Sequence, residues 1–151
     1  MKVGHAPMRA RYLGSYTHQL DEKGRVSLPA TFRREAADQR FVLLEAYAGS
    51  LVLYPEVEWG KVEERLLELQ SRNPKARSYV LSVVSTAVEV TPDAQGRILI
   101  PAKQKEAAGL DGQVLLVGAV NRVELWEPAR FAAVTAAATP EWGVYAEQIF
   151  Q

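Results

Sequence analysis

Two stretches of the chain combine residue types whose spacing could support chemistry. Asp21-Glu22-Lys23-Gly24-Arg25 places a carboxylate four residues before a guanidinium, with a glycine between them, and Asp93-Ala94-Gln95-Gly96-Arg97 repeats the arrangement. A carboxylate at the start of a tight turn accepts backbone N–H groups and pairs with an arginine that follows closely. Asp21 and Asp93 are therefore read as turn-structuring residues, because a carboxylate repels phosphate. A pair of acids can also serve general acid–base catalysis, but nothing else here supports that. Arg25 and Arg97 leave two readings open. Each forms a plain ion pair with the aspartate of its own turn, or reaches a phosphate or the edge of a guanine. Lys23 at the turn tip is either a phosphate ligand or an ordinary solvated lysine. Gly24 and Gly96 supply a positive φ where the chain reverses.

Other reactive constellations are missing. The 151 residues contain no cysteine, which removes disulfides, thiolate metal sites and cysteine nucleophiles and fits a reducing cytoplasm. His5 and His18 stand alone and read as surface histidines rather than ligands. No GxSxG, HExxH, P-loop or GxGxxG pattern occurs, so no catalytic activity, metal or cofactor is expected. No run is apolar enough to span a membrane, and the N-terminus lacks the apolar centre of a secretory signal. Residues 1–10 are expected to form a flexible arm.

The motif is part of a longer duplication. Asp-x-x-Gly-Arg, an apolar-x-apolar strand and Pro-Ala recur at an offset of 72 positions, from 21 to 93. At that offset Val42-Leu43-Leu44 meets Val114-Leu115-Leu116, and Leu53-Tyr54 meets Leu125-Trp126. Charge follows the same rhythm. Residues 1–40 hold eight Lys/Arg and four Asp/Glu, and residues 41–70 hold two and six; residues 71–105 hold six and two, and residues 106–151 two and six. A chain of zero net charge can thus carry two basic surfaces.

Each half must position its motif with the same elements. An alternating strand (Tyr12 to Leu20) leads into the turn, then a short strand at Val26–Leu28, then a helix over 29–38 opened by Pro29. A hairpin pairs Phe41–Ala46 with Leu51–Tyr54 through Tyr47-Ala48-Gly49-Ser50. Pro55 opens a helix with Trp59, Val62, Leu66 and Leu69 on one face. Ser71-Arg72-Asn73-Pro74 joins the halves, and Ala76, Tyr79, Val80, Val83, Val84 and Ala87 recur at helical spacing, which favours a helix, with a strand as the alternative because of the β-branched residues. The second half follows with strands at 88–91 and 97–100, a helix over 101–108, strands at 113–117 and 122–126, and a helix over 128–138. Val26, Leu28, Phe41, Leu43, Leu51, Leu53, Ile98, Ile100, Leu115, Val117, Val123 and Leu125 are the expected core. Halves of about seventy residues without disulfide or metal bury too little alone, so association of chains is expected. The tail over 139–151, with Trp142, Tyr145 and Phe150, is expected to dock on a neighbour.

The doubled motif, with Tyr12-Leu13-Gly14, Tyr16 and Leu20 before the first copy, resembles the MraZ family of bacterial transcriptional regulators from Tyr12 to about Ala138. One copy alone also resembles the wider AbrB/MazE swapped-hairpin group. The resemblance implies an α+β, mainly β fold of two tandem AbrB-like barrel modules, 11–72 and 73–138, with flanking helices, assembled into a ring of eight or twelve chains. It implies binding of double-stranded DNA at promoter direct repeats upstream of the division and cell-wall gene cluster, with repression that includes the chain's own gene. The motif loops would face the DNA in a cytoplasmic, nucleoid-associated oligomer, with Lys23, Arg25 and Arg97 as DNA contacts and Arg11 widening the basic surface. Arg9, Arg33 and Arg34 read as solvated. The sequence departs from the family pattern in its extension before Tyr12, and Gln95 stands where the first copy has Lys23. An antitoxin-like or assembly module that binds a protein partner is the alternative.

Overall fold

A computed structural model of the chain describes residues 10–36, 38–46, 48–136 and 140–151. Of the arm expected over 1–10, residues 1–9 lie outside them, and Ala10 is buried, its N–H donating to Glu58 Oε2 at 3.2 Å. The first half runs β1 (Ser15–Gln19), β2 (Arg25–Ser27), α1 (Ala30–Arg33), β3 (Phe41–Glu45), β4 (Leu51–Pro55) and α2 (Glu56–Arg72). A 3-10 turn at Pro74–Ala76 leads into α3 (Arg77–Val84). The second half runs β5 (Val88–Val90), β6 (Arg97–Leu99), α4 (Ala102–Ala107), β7 (Gln113–Gly118), β8 (Val123–Trp126), α5 (Pro128–Thr135) and α6 (Trp142–Phe150).

The fold is α+β, built mainly from antiparallel sheet. Six strands lie in the order β1-β7-β8-β4-β3-β5, and β2 pairs with β6 in a separate two-stranded ribbon. The halves exchange strands: β1 of the first half pairs with β7 of the second, and β5 of the second pairs with β3 of the first. Of the two like pairs, β4–β8 lies between these in the sheet and β2–β6 forms the ribbon. The barrel that the resemblance implied does not close. β1 and β5 end the sheet, and the ribbon lies over its inner face rather than completing a ring of strands.

The main core lies between sheet and ribbon. Phe41, Leu43, Leu51, Leu53, Val114, Leu116, Val123 and Leu125 meet Val26, Leu28, Ile98 and Ile100 there. Complete burial of one such side chain contributes about 1.5–3 kcal/mol. On the other face of the sheet, Val42, Leu44 and Val52 pack under Trp59 of α2, with Val62, Leu66 and Val83 beside them. Both faces of β3 are therefore apolar.

One feature of the duplication differs from the sequence alignment. Val114 and Leu116 are the fully buried pair of β7, whereas Leu115 and Val117 are half-buried on the opposite face. The partners of Phe41 and Leu43 are thus Val114 and Leu116, an offset of 73 instead of 72. A one-residue slip turns every side chain of a strand to the other face. The extra residue enters before β7, and the β7–β8 connection (119–122) is one residue shorter than the β3–β4 connection (46–50). By β8 the offset of 72 is restored, with Leu51 and Leu53 matching Val123 and Leu125.

The short helices also differ between the halves. The helix expected over 29–38 ends at Arg33, where Glu35 N–H and Ala36 N–H donate to Phe32 and Arg33 in tightened turns. In the second half α4 is longer and ends in a Schellman cap. Gly109 takes φ +66° and donates to Glu106, while Leu110 N–H reaches Lys105. Pro29 and Pro101 cap these helices instead of occupying their first turn. Phe32 fixes α1 in place, with its ring edge-on to Tyr12 and Tyr16 at 5.5 and 5.2 Å. The tail forms α6, in which every residue is exposed. No helix among the described residues is long and apolar enough to cross a membrane.

Candidate nucleic-acid interface

Each motif builds the same clamp. In the first, Asp21 Oδ1 accepts the N–H groups of Lys23 and Arg25 at 2.9 and 2.8 Å, and Oδ2 accepts Arg25 Nε at 2.9 Å. In the second, Asp93 Oδ1 accepts from Gln95 and Arg97, both at 2.9 Å, and Oδ2 accepts Arg97 Nε at 3.2 Å. The main chain closes each turn from inside: Gly24 N–H donates to Asp21 and Asp21 N–H to Arg25, with the same two bonds at Gly96 and Asp93. Gly24 and Gly96 take φ of +84° and +79°, a left-handed conformation that side chains disfavour.

These bonds shift the aspartates. The Arg25 N–H is the largest influence holding the Asp21 carboxyl below its ordinary value. Partial desolvation works against it, and the Arg25 guanidinium and the Lys23 N–H reinforce it. Asp93 is lowered in the same manner, first by the Arg97 N–H and then by Gln95 N–H and the Arg97 guanidinium. Accepted hydrogen bonds favour the charged form of a carboxylate. Each aspartate thus holds one edge of its arginine while the guanidinium keeps unused donors for another acceptor.

Pairing of β2 with β6 brings the two clamps together. Arg25 lies across from Leu99, Val26 from Ile98, and Ser27 from Arg97. Gly24 C=O accepts Ile100 N–H at 2.8 Å and Gly96 C=O accepts Leu28 N–H at 2.9 Å, which extends the ribbon into both turns. Val26 and Ile98 point into the core. Arg25, Ser27, Arg97 and Leu99 therefore share the outer face, since side chains alternate along a strand. One arginine from each basic block of the chain thus stands on this face. Lys23 is exposed at the tip of the first turn and Gln95 at the tip of the second.

The two clamps are not equal. Arg97 Nη1 also lies 3.8 Å from Asp21 Oδ2, bridging the turns; no Arg25–Asp93 ion pair forms among the described residues. Leu99 Cδ1 packs beside Gly24, while the Arg33 guanidinium covers Gly96 and donates from Nη1 to Leu28 C=O at 2.8 Å. Arg33 is thus a cation placed at the second turn by a helix of the first half. Its spacing from the motif in sequence gives no sign of this, because the contact crosses between the halves. Arg11 lies elsewhere: its side chain is exposed beside α1, near Thr31, Arg34 and Glu35, and its N–H donates to Glu35 Oε1 at 2.8 Å. Among the described residues it makes no hydrogen bond or ion pair to either turn, and no cluster of three His, Asp or Glu could hold a metal.

Fold and turns together define a class: an internally duplicated chain whose halves exchange strands and present two aspartate-clamped arginines on one ribbon. Comparison with known proteins narrows the class to one family. The model of the family described as "MraZ protein, putative antitoxin-like" matches residues 12–81 and 83–141. A Desulfitobacterium hafniense protein named Transcriptional regulator MraZ is 40% identical over 138 residues, covering 91% of this chain and 96% of its own length. Proteins of the same name from Halothermothrix orenii and Pediococcus pentosaceus are 40% and 41% identical over 120 residues, covering 80% of this chain and 83% of their own. The chain belongs to the MraZ family.

Proposed function

We propose that the chain is a DNA-binding transcriptional regulator without catalytic activity, which reads promoter DNA with the outer face of the β2–β6 ribbon. One observation carries this reading: the Asp21–Arg25 and Asp93–Arg97 clamps are brought side by side on an exposed face, with both guanidiniums only partly used. A two-stranded ribbon fits the major groove, where a guanidinium makes a bidentate contact to guanine. Lys23 supplies a phosphate contact beside them. Arg11 lies outside the ribbon and serves as a peripheral cation, if the DNA extends past α1. The relatives' shared name, Transcriptional regulator MraZ, supports the same reading.

The targets are direct repeats upstream of the division and cell-wall gene cluster, and the outcome is repression that includes the chain's own gene. The working form is a cytoplasmic, nucleoid-associated ring of copies. Support for association comes from the tail helix, where Trp142, Val144, Tyr145, Ile149 and Phe150 are all exposed. A helix of this length is marginal alone in water. Several ribbons on one ring gain affinity for spaced repeats through effective concentration.

The test is fluorescence anisotropy with a duplex carrying the repeats upstream of the chain's own gene beside a scrambled duplex, for wild type and Arg25→Ala, across a salt series. A preference for the repeats that collapses in Arg25→Ala is expected. Equal, weak binding to both duplexes, unchanged by the substitution, would overturn the reading.

A further inference from the structure

The ribbon's outer face holds four side chains, and only two of them match across the duplication. Arg25 corresponds to Arg97, but Ser27 corresponds to Leu99. Register makes this difference local to each arginine: Arg25 has Leu99 as its cross-strand neighbour, and Arg97 has Ser27. Leu99 is 54% exposed, with one methyl beside Gly24, on the face it shares with Arg25 and Arg97. The position gains little from burial in the isolated chain. Its neighbours Ile98 and Ile100 are fully buried, so core packing does not require an apolar residue at 99.

A ribbon with identical residues on its two strands would present the same contacts in either orientation and would read an inverted repeat. This ribbon cannot do so. We infer that Leu99 and Ser27 are specificity-determining residues that give the DNA site a direction. This rests on the DNA-binding reading above and adds the chemistry of the recognised bases. In the major groove the leucine side chain contacts the C5-methyl group of thymine, whereas a serine hydroxyl exchanges a hydrogen bond with any base edge. The Arg25/Leu99 end therefore selects a guanine next to a thymine. The Arg97/Ser27 end selects a guanine with no demand for a methyl group. Bases are read asymmetrically although the backbone of the ribbon is nearly two-fold.

The experiment enriches binding sites from a random duplex pool with the full-length wild type, Leu99→Ser and Ser27→Leu. Each enriched site is then remeasured with every thymine in turn replaced by deoxyuridine, which removes only the methyl group. Wild type should enrich a directional site in which one such replacement weakens binding several-fold. Leu99→Ser should enrich a site that has lost this thymine and is insensitive to deoxyuridine. Ser27→Leu should acquire a second methyl-sensitive thymine, placed symmetrically to the first. Both positions are on the outer face, and matching thermal melts would show that the variants fold as wild type does. If Leu99→Ser enriches the wild-type site with the same methyl sensitivity, the inference fails and the DNA-binding reading stands. If wild type enriches no site at all, both fall.

Discussion

The two motif turns share their ligands and differ in their surroundings. Each aspartate holds two N–H groups and one guanidinium at nearly the same distances. Around that common frame, the first turn has a lysine tip and a leucine beside its glycine, and the second has a glutamine tip and the Arg33 guanidinium over its glycine. Positive charge is therefore present at both turns, by different routes. In the first it comes from the turn itself; in the second it is contributed across the pseudo-symmetry by α1. Duplication supplied the geometry twice, and the residues around it diverged.

The comparison can be broken most severely at the glycines. A Cβ on Gly24 would stand 3.1 Å from the Ile100 carbonyl oxygen, which is backbone and cannot move aside, whereas a Cβ on Gly96 would meet the mobile end of Arg33. Both substitutions carry the strain of a left-handed residue, about 1–3 kcal/mol. Gly24→Ala should lower stability more than Gly96→Ala in chemical denaturation. Arg33→Ala should relieve part of the Gly96→Ala loss and none of the Gly24→Ala loss; equal relief in both would show that Arg33 does not distinguish the turns.

Removal of the arginines sharpens the comparison in binding. Arg25→Ala should weaken DNA binding about tenfold or more. Arg97→Ala should cost less, because its guanidinium is divided between Asp93 and Asp21. Titration of both variants against one duplex checks the order, and a larger loss for Arg97→Ala would reverse the assignment of the dominant turn.

Smaller effects follow for the flanking cations. Lys23→Gln and Arg33→Gln should each reduce the slope of log affinity against log salt by ~1 per bound subunit, and Gln95→Lys should raise it by the same amount. A slope unaltered in Arg33→Gln would leave the second turn without its replacement cation.

The smallest effect is in acid. Both carboxyls are lowered from their ordinary value of 3.8. A depressed folded value means that their contribution to stability is complete above that pH and is lost as the pH falls through the lower folded value. Carboxyl resonances followed by NMR should titrate below 3.8 at both sites. Asp21→Asn should remove the acid dependence of the first turn and leave that of the second.

Much of this comparison was legible in the sequence. Asp, Gly and Arg at fixed spacing specify a turn through local hydrogen bonds, so the doubled motif announces two similar turns. The strand that carries each arginine follows from the alternating apolar residues after it, Val26 and Leu28 in the first half and Ile98 and Ile100 in the second. What local pattern could not show was register. Val42-Leu43-Leu44 and Val114-Leu115-Leu116-Val117 are apolar at every position, so no alternation marks the inner face. The sequence alignment therefore put Leu115 and Val117 in the core, where the structure has Val114 and Leu116. Helix α4 and its glycine cap absorb the extra residue, and nothing in Val-Leu-Leu records it. The pairing of β1 with β7 and the placement of Arg33 on Gly96 were hidden for a second reason. Both are contacts between the halves, and neither has a periodicity along the chain.

The strand exchange also has a consequence during synthesis. Gln19 at the end of β1 pairs with Gln113, so the first strand leaves the ribosome long before its partner exists. At about 5–20 residues per second, it waits for several seconds with its backbone groups open. The first half cannot complete its sheet in that interval. Until β7 emerges, β1 has no partner in its own chain, and of the first half's share of the sheet only the β3–β4 hairpin can form.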